Sequence, residues 1–575
     1  EFGPEVSNGI SHFGLMIGAT GSGKSSLLHS LIISSLLKYG PDELQLYLLD
    51  FKSGVEFELY SKYRIPQLKL LALDAMQAFG LSVLRELMQQ MDERNRLFKG
   101  AGVGNIEEYR TTTGYAMPRI LVLMDEFQTL FNEDHDRRAA RESSVLLADF
   151  ISLARNCGIH FLLSTQTLGR IRTGNFSVNQ STLDEMHVRI GLQCSADETE
   201  KLFGGIFGKQ AYDLMGSQKG SGVLTENDLK LPPCAFRAVF CDKEKRAELL
   251  KTIEDRYSAI NPIEGTRVFR SDTVPDIRDG MGRRISSSAD AAKGIPIFLG
   301  EPIRIGPPVV LDVNRRMRST LLIAGGDAGM LDSLVANYMF SAFFAKDRQG
   351  SEGEALYRAH PTVYLCEGRA ISGDSGSELL SRVCAGRHED VRVAKSNMDV
   401  LRFLDELYRI MIERQSSEGG SYQTIHFVIS EYQWMDAFLA IYERRDSQYD
   451  EELGGKRVED DPDAMLDELL SSLSRPASGG DVRRIEKLER LIQRGYAYGI
   501  NVVVGTTDFA SLRERLYDLV PNMQSRIVFS LSEDDAERIV RGALGQMETL
   551  RPNMAIITDG RSEPEIFKPY RISTI

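Results

Sequence analysis

The sequence predicts an α/β chain of two tandem modules, each a mostly parallel sheet with helices on both faces, the second a degenerate copy of the first. Three observations predict it. Short apolar runs alternate with amphipathic stretches, as in strand–helix–strand units. Four blocks recur in the same order in the two halves. One of them, "GATGSGKSS" at residues 18–26, carries a lysine and serines that its second-half counterpart lacks.

In the first half the expected strands are Phe13–Ile17, Leu44–Asp50, Ile120–Met124, His160–Ser164 and Val188–Gln193, each an apolar run of strand length. Helices are expected over Ser25–Lys38 and over about Ala78–Lys99, where apolar residues recur at helical spacing. The repeated blocks pair "FGLMIGATGSGKSSLLHSL" with "TLLIAGGDAGMLDSLVANY" and "RILVLMDEFQTLF" with "TIHFVISEYQWMD". They also pair "GIHFLLSTQT" with "GINVVVGTTD", and "EMHVRIGLQCSADETEKLFG" with "NMQSRIVFSLSEDDAERIVRG". Two unrelated sheets would share apolar strands but not four ordered blocks. The expected boundaries are a first module at 1–255, a linker at 256–295 and a second module at 296–575. The linker includes the polar, glycine- and serine-rich stretch 270–294. Residues 460–480, "DDPDAMLDELLSSLSRPASGG", read as a solvated insertion with a short helix.

Composition narrows the class. At 42% hydrophobic and 26% charged residues, the 575-residue chain is ordinary globular protein with enough apolar content for large cores. A net charge of −13 argues against a surface that is basic all over, while leaving room for a local basic pore lining. The six cysteines contain no CxxC pair, so neither a zinc site nor a disulfide framework is indicated, and a reducing, cytoplasmic setting is the default. No apolar run reaches about 18 residues, so no transmembrane helix is expected. The chain begins Glu-Phe-Gly without Met and reads as an excised piece, with any membrane anchor or further module outside it.

The spacing Gly-x-x-x-x-Gly-Lys-Ser between a strand and a helix is that of a phosphate-cradling loop. Residues Gly18, Ala19, Thr20, Gly21, Ser22, Gly23, Lys24, Ser25 and Ser26 are the expected nucleotide contacts. Glycines let successive N–H groups converge on an anion at the positive end of the helix dipole. Lys24 would meet the β- and γ-phosphates of ATP, and the Ser25 hydroxyl would ligate Mg²⁺. "ILVLMDE" sets Asp125 and Glu126 at the carboxyl edge of a buried strand, where ligands bind in open α/β sheets. Asp125 would hold Mg²⁺ through water, and Glu126 would orient or deprotonate the attacking water. Acidic strand ends also serve as helix caps. Gln166, ending "LLSTQ", would sense the γ-phosphate or the water, or cap a loop. "DFKSG" at 50–54 is expected on the rim. Arg155, and more weakly Arg94 and Arg96, would reach a neighbouring subunit's site as arginine fingers, or lie on a solvated face. In the second copy Met330 and Leu331 replace Lys24 and Ser25, Ser430 replaces Asp125, Glu431 is kept, and Thr506-Thr507 replaces Thr165-Gln166. Metal binding and water activation are therefore expected to be lost there.

Together "GATGSGKSS", "LLDFKSG", "MDERNRLFKGAGVGNIEEYR", "LVLMDEF", "ARNCGIHFLLSTQ" and "VRIGLQCSADETEKLFG" resemble the FtsK/SpoIIIE family of P-loop motor ATPases, within the wider group that includes HerA. The likeness covers nearly all of residues 10–240. It implies RecA-like cores in a ring oligomer, usually a hexamer, with ATP hydrolysed at subunit interfaces to drive a polymer through the pore. It also places the trans-acting arginine at Arg155. Double-stranded DNA is the polymer of the well-known members; a second branch, the motors of type VII secretion, exports proteins and strings several modules on one chain. "DFKSG" and residues 294–313 are similar to that branch, whereas family prevalence favours DNA. No winged-helix DNA reader is evident after residue 560. A nucleotide-switched scaffold with little turnover is the third possibility, against which Glu126 and Gln166 both count.

Overall fold

The computed structural model describes residues 13–572 except 53–55, 169–174, 179, 226–231, 260–264, 279, 282–294, 314–319, 348–357, 388, 418–421, 438–483, 509–516, 542–545, 548–549 and 561. The 460–480 stretch thus lies outside the described residues. The chain divides into two compact units, Glu1–Thr273 with Ile303–Ile305, and Val274–Pro302 with Gly306–Ile575.

Among the described residues the first unit has nine strands: β1 (Phe13–Ile17), β2 (Leu44–Asp50), β3 (Leu68–Leu73), β4 (Arg119–Asp125), β5 (Ile159–Thr165), β6 (Val188–Leu192), β7 (Ser221–Thr225), β8 (Cys234–Arg237) and β9 (Arg267–Arg270). Their order is β8-β7-β6-β1-β5-β4-β2-β3-β9. From β6 to β9 every neighbouring pair is parallel, and β7 and β8 are added antiparallel. A strand buried on both faces reads as a continuous apolar run, and all seven residues of β5 are buried. Its alternate residues face different helices. Phe161 meets Phe150 of α4 (Arg137–Leu153), ring centroids 5.1 Å apart. Leu162 packs with Leu28 and Ile32 of α1 (Lys24–Lys38). Between them in sequence come α2 (Gln77–Ala101) and α3 (Ile106–Thr113).

The second unit repeats this plan. Its strands are β10 (Ile295–Pro302), β11 (Val309–Val313), β12 (Leu321–Gly325), β13 (Arg358–Glu367), β14 (Val391–Val393), β15 (Gln423–Ser430), β16 (Ile500–Thr506), β17 (Ser525–Phe529), β18 (Ala555–Thr558) and β19 (Glu565–Pro569). The order β11-β10-β19-β18-β17-β12-β16-β15-β13-β14 contains, from β17 to β14, the same six-strand parallel core as β6-β1-β5-β4-β2-β3. On β12, Leu321 and Ile323 face Leu334 and Tyr338 of one helix (Ala328–Asp347), while Leu322 and Ala324 face Val400 and Leu404 of another (Asn397–Gln415).

The duplication extends to single side chains. Arg189 and Arg526, each the second residue of its strand, give Nη1 to a carbonyl thirteen residues on, Leu202 at 2.6 Å and Ile539 at 2.9 Å. Arg94 Nη1 bonds the Cys157 carbonyl and Arg414 Nη1 the Tyr498 carbonyl, both at 2.6 Å, each just before a left-handed glycine that opens a strand.

Three expectations are corrected. β3 was not among the expected strands: "LKLLAL" is built from good helix formers, and its pairing between β2 and β9 overrides that propensity. The stretch expected as linker is not all linker, because β9 joins the first sheet, whereas Ile277 and Met281 are buried in the second unit's core. Arg94 is no arginine finger. It is 7% exposed, and its guanidinium also donates to the Pro118 carbonyl at 2.7 Å; burial pushes its pKa down to about 10.

Arg94→Ala leaves two buried carbonyls without their charged donor and is expected to lower the unfolding free energy by about 2–4 kcal/mol in urea titration. Nucleotide affinity should stay within about twofold of the native chain. Unchanged stability with lost turnover would return Arg94 to the catalytic candidates.

Candidate active site

The carboxyl edge of the first sheet gathers the chemistry. β5 lies between β1 and β4, so the residue that follows it stands between the loop after β1 and the acids after β4. That residue is Gln166. Its amide uses both ends: Oε1 accepts from the Thr20 hydroxyl at 2.8 Å, and Nε2 donates to Glu126 Oε1. Gln128 Nε2 donates to the other carboxylate oxygen, Glu126 Oε2, at 2.7 Å. Glu126 is thereby gripped at both oxygens while only 5% exposed. Its backbone is left-handed, φ 53°, which a residue with a Cβ adopts only at a cost and which turns the chain sharply off β4. Glu431 repeats that conformation with φ 53°.

The loop after β1 wraps as a phosphate cradle. Gly23 immediately precedes α1 with φ 103°, and a Cβ there would lie 3.0 Å from the Gly220 backbone, so only glycine fits. No side chain caps this helix end. Its first N–H groups therefore remain for an anion, which the helix dipole also favours. Lys24, 8% exposed, forms an ion pair with Asp125 Oδ1 and lies 3.6 Å from Glu126 Oε1. Ser22 is buried; Ser25 and Ser26 are half-buried; Ala19, Thr20 and Gly21 are exposed at the cleft. A cavity of about 490 Å³ opens there, lined by Ala19, Thr20, Phe51, Lys52, Glu126, Gln128, Thr129, Gln166 and Thr167. Phe51 and Lys52 of the "DFKSG" stretch stand on its wall.

These residues fit Mg·ATP. Ser25 and Asp125 offer the hard oxygen ligands that Mg²⁺ takes beside phosphate oxygens, and the bare helix end and Lys24 suit the phosphates. The Ser25 hydroxyl donates to Glu56 Oε1 at 2.7 Å, and His29 lies 3.7 Å from Glu56 Oε2. The His29 imidazole, with the Ser25 hydroxyl and Lys24, holds the Glu56 carboxyl down at about 2 against the opposing effect of burial. Sequence reading missed Glu56 and Gln128. Gln128 follows Glu126 by two residues in a 3₁₀ turn (Phe127–Phe131), a spacing that returns its amide to the acid; Glu56 had no local signal. The backbone of Arg155 lies in the 3₁₀ turn Ala154–Cys157, and its side chain falls outside the described residues.

The second unit closes the equivalent place. Asp327, at Gly21's position, caps the helix end itself, accepting from Met330 N–H at 2.9 Å. Leu331, at Ser25's position, is fully buried in the apolar core. Arg369 pairs with Asp332 at 2.7 Å and with Glu431, so the surviving acid is engaged by an arginine. Burial raises the pKa of Glu431, which Arg369 opposes. Gln433, the counterpart of Gln128, donates to Thr507 at 2.7 Å instead of to the acid.

Residues 4–170 match the model of the FtsK/SpoIIIE family. The chain carries an FtsK/SpoIIIE domain. Over 158 residues, the chain is 33% identical to the DNA translocase SftA of Bacillus subtilis (strain 168), covering 27% of this chain and 16% of that protein. Over 165 residues it is 30% identical to the ESX secretion system protein YukB of the same organism, covering 28% of this chain and 10% of that one. The match thus spans a small part of either relative's length. The fold of both units together is similar to ATPases 2 and 3 of EssC from Geobacillus thermodenitrificans, with a TM-score of 0.56, 14% identity, and coverage of 98% of this chain and 92% of that one. It is also similar to the cytoplasmic domain of the type VII secretion ATPase EccC from Thermomonospora curvata, with a TM-score of 0.60, 17% identity, and coverage of 100% of this chain and 62% of that one. The FtsK/SpoIIIE domain thus lies in the unit whose cradle is open. Among the described residues no helix is long and apolar enough to cross a membrane.

Lys24→Ala is expected to abolish binding of a fluorescent ATP analogue by the whole chain, since Met330 supplies no charge in the second unit. The native chain should titrate with one nucleotide per chain. A Lys24→Ala chain that still binds one equivalent would place a working site in the second unit.

Proposed function

We propose that the chain is part of an ATP-hydrolysing translocase in which the first unit turns over ATP and the second is a catalytically silent partner. The observation that carries this reading is the grip of Gln128 and Gln166 on Glu126, beside Lys24 and Asp125. A scaffold that only binds nucleotide has no need of an acid held at both oxygens. The cradle N–H groups and Lys24 would hold the phosphates, and Ser25 and Asp125 would hold Mg²⁺, whose charge would offset that of the phosphates. Glu126 orients the attacking water and accepts its proton. Arg155 completes the site of a neighbouring subunit in a ring, usually a hexamer in this family, acting in the cytoplasm.

The proposed polymer is a polypeptide. The pairing of an open P-loop unit with a closed one supports it, because the overall fold is similar to type VII secretion ATPases across both units. The net charge of −13 agrees with it. Double-stranded DNA is the second reading, favoured by the similarity of the chain to SftA. The deciding measurement is ATPase rate with duplex DNA of increasing length and with an unfolded acidic or neutral polypeptide, each across a salt series. Stimulation that grows with DNA length and collapses with salt supports DNA and overturns the polypeptide reading.

Glu126→Gln is expected to keep nucleotide affinity within about threefold and to lose about 10²–10⁴ in turnover. Arg155→Ala is expected to lose about 10³–10⁵. Mixing the two variants creates interfaces that join an intact Arg155 to an intact Glu126, so activity should partly return. Mixed oligomers, verified by mass, that recover nothing would remove the trans-acting role.

A further inference from the structure

Glu56 stands outside every role assigned so far, yet it touches the metal-binding serine. It lies between β2 and a 3₁₀ turn (Glu58–Lys62), and a line of contacts runs from the apolar core to it. Tyr60, 1% exposed, stacks on His29 and places its hydroxyl 2.9 Å from His29 Nδ1. The imidazole tautomer in which Nδ1 accepts from the Tyr60 hydroxyl is the one that suits a carboxylate on the ring's other side. In that tautomer Nε2–H faces Glu56 Oε2, 3.7 Å away. Glu56 Oε1 in turn accepts the Ser25 proton at 2.7 Å. His29 is one helical turn beyond Ser25 on α1, so one rigid element sets the separation of both contacts to Glu56.

A serine that ligates a divalent cation keeps its proton and needs an acceptor for it. With the O–H directed at a carboxylate, the oxygen lone pairs face away from that carboxylate and become better donors to the metal. We propose that Glu56, anchored by His29 and Tyr60, is a positioning residue that orients and polarises the Ser25 hydroxyl and so sets the affinity of the first unit for the nucleotide's divalent cation. The inference rests on the reading of this unit as a Mg·ATP site. It concerns the metal more directly than the phosphates: Glu56 holds the Ser25 hydroxyl, whereas the ion-pair partners of Lys24 are Asp125 and Glu126.

The test uses the full chain with Mn²⁺ as the probe, read by electron paramagnetic resonance in the presence of a non-hydrolysable ATP analogue. Nucleotide affinity is measured separately in chelator. Glu56→Gln, which keeps the shape and loses the charge, is expected to raise the Mn²⁺ concentration for half-saturation about 10–100-fold, the usual effect of removing a ligand's partner. Metal-free nucleotide affinity should stay within about twofold. Glu56→Asp should recover part of the loss, and His29→Gln should give a smaller shift in the same direction. Mn²⁺ affinity unchanged in Glu56→Gln overturns the inference while native binding stands. Equal losses with and without metal also overturn it, by making Glu56 a part of the fold. A native chain that binds no nucleotide at all overturns instead the reading beneath it.

Discussion

Lys24 shares two carboxylates that water barely reaches, and the first unit's chemistry depends on that arrangement. Lys24, Asp125 and Glu126 are each less than a tenth exposed. Charges so buried persist only when paired, because removing one partner strands the other in a medium that solvates it poorly. The pairing demands that the turn after β1 and the end of β4 meet across β5. The parallel order β1-β5-β4 arranges this by ending all three strands at one edge. Gln166 then fills the middle position, and an amide is the suitable group there. It must accept from Thr20 on one side and donate to Glu126 on the other, which a carboxylate could not do.

The second unit shows how little of this the fold itself requires. It keeps the order of the parallel core strands, the arginines that tie loops to strand ends, here half-buried, and the left-handed glutamate after the fourth core strand. What changed is charge balance at one helix end. Asp327 puts a carboxylate where the first unit leaves bare N–H groups, and Asp332, Glu367 and Glu431 crowd the same edge around Arg369. A phosphate brought there would meet like charge and displace an existing cap. The scaffold tolerates these replacements because its apolar layers lie apart from that edge.

Much of the fold was legible because parallel strands buried on both faces must be apolar throughout, and such runs as "FGLMI" and "IHFLLST" stand out. β3 escaped because Leu, Lys and Ala carry no strand preference of their own, so its identity comes from its neighbours. β9 escaped because a polar, exposed edge strand looks like linker. Arg94 was misread for a related reason: charge in a sequence suggests solvent, whereas two carbonyls just ahead of strands, those of Cys157 and Pro118, hold its guanidinium.

The sequence by itself determined where the phosphate-loop residues are placed and which copy lacks their lysine and hydroxyl. Those facts depend on residues adjacent in the chain, where backbone geometry alone relates a glycine turn, a lysine and a hydroxyl. Only the tertiary structure decided which groups hold Glu126, that Glu56 attends Ser25 from 31 residues away, and that Asp327 and Arg369 close the second site. Those contacts are made between elements whose separation in the chain is unrelated to their distance in space, so the order of strands in the sheet, and not any local pattern, brings them together.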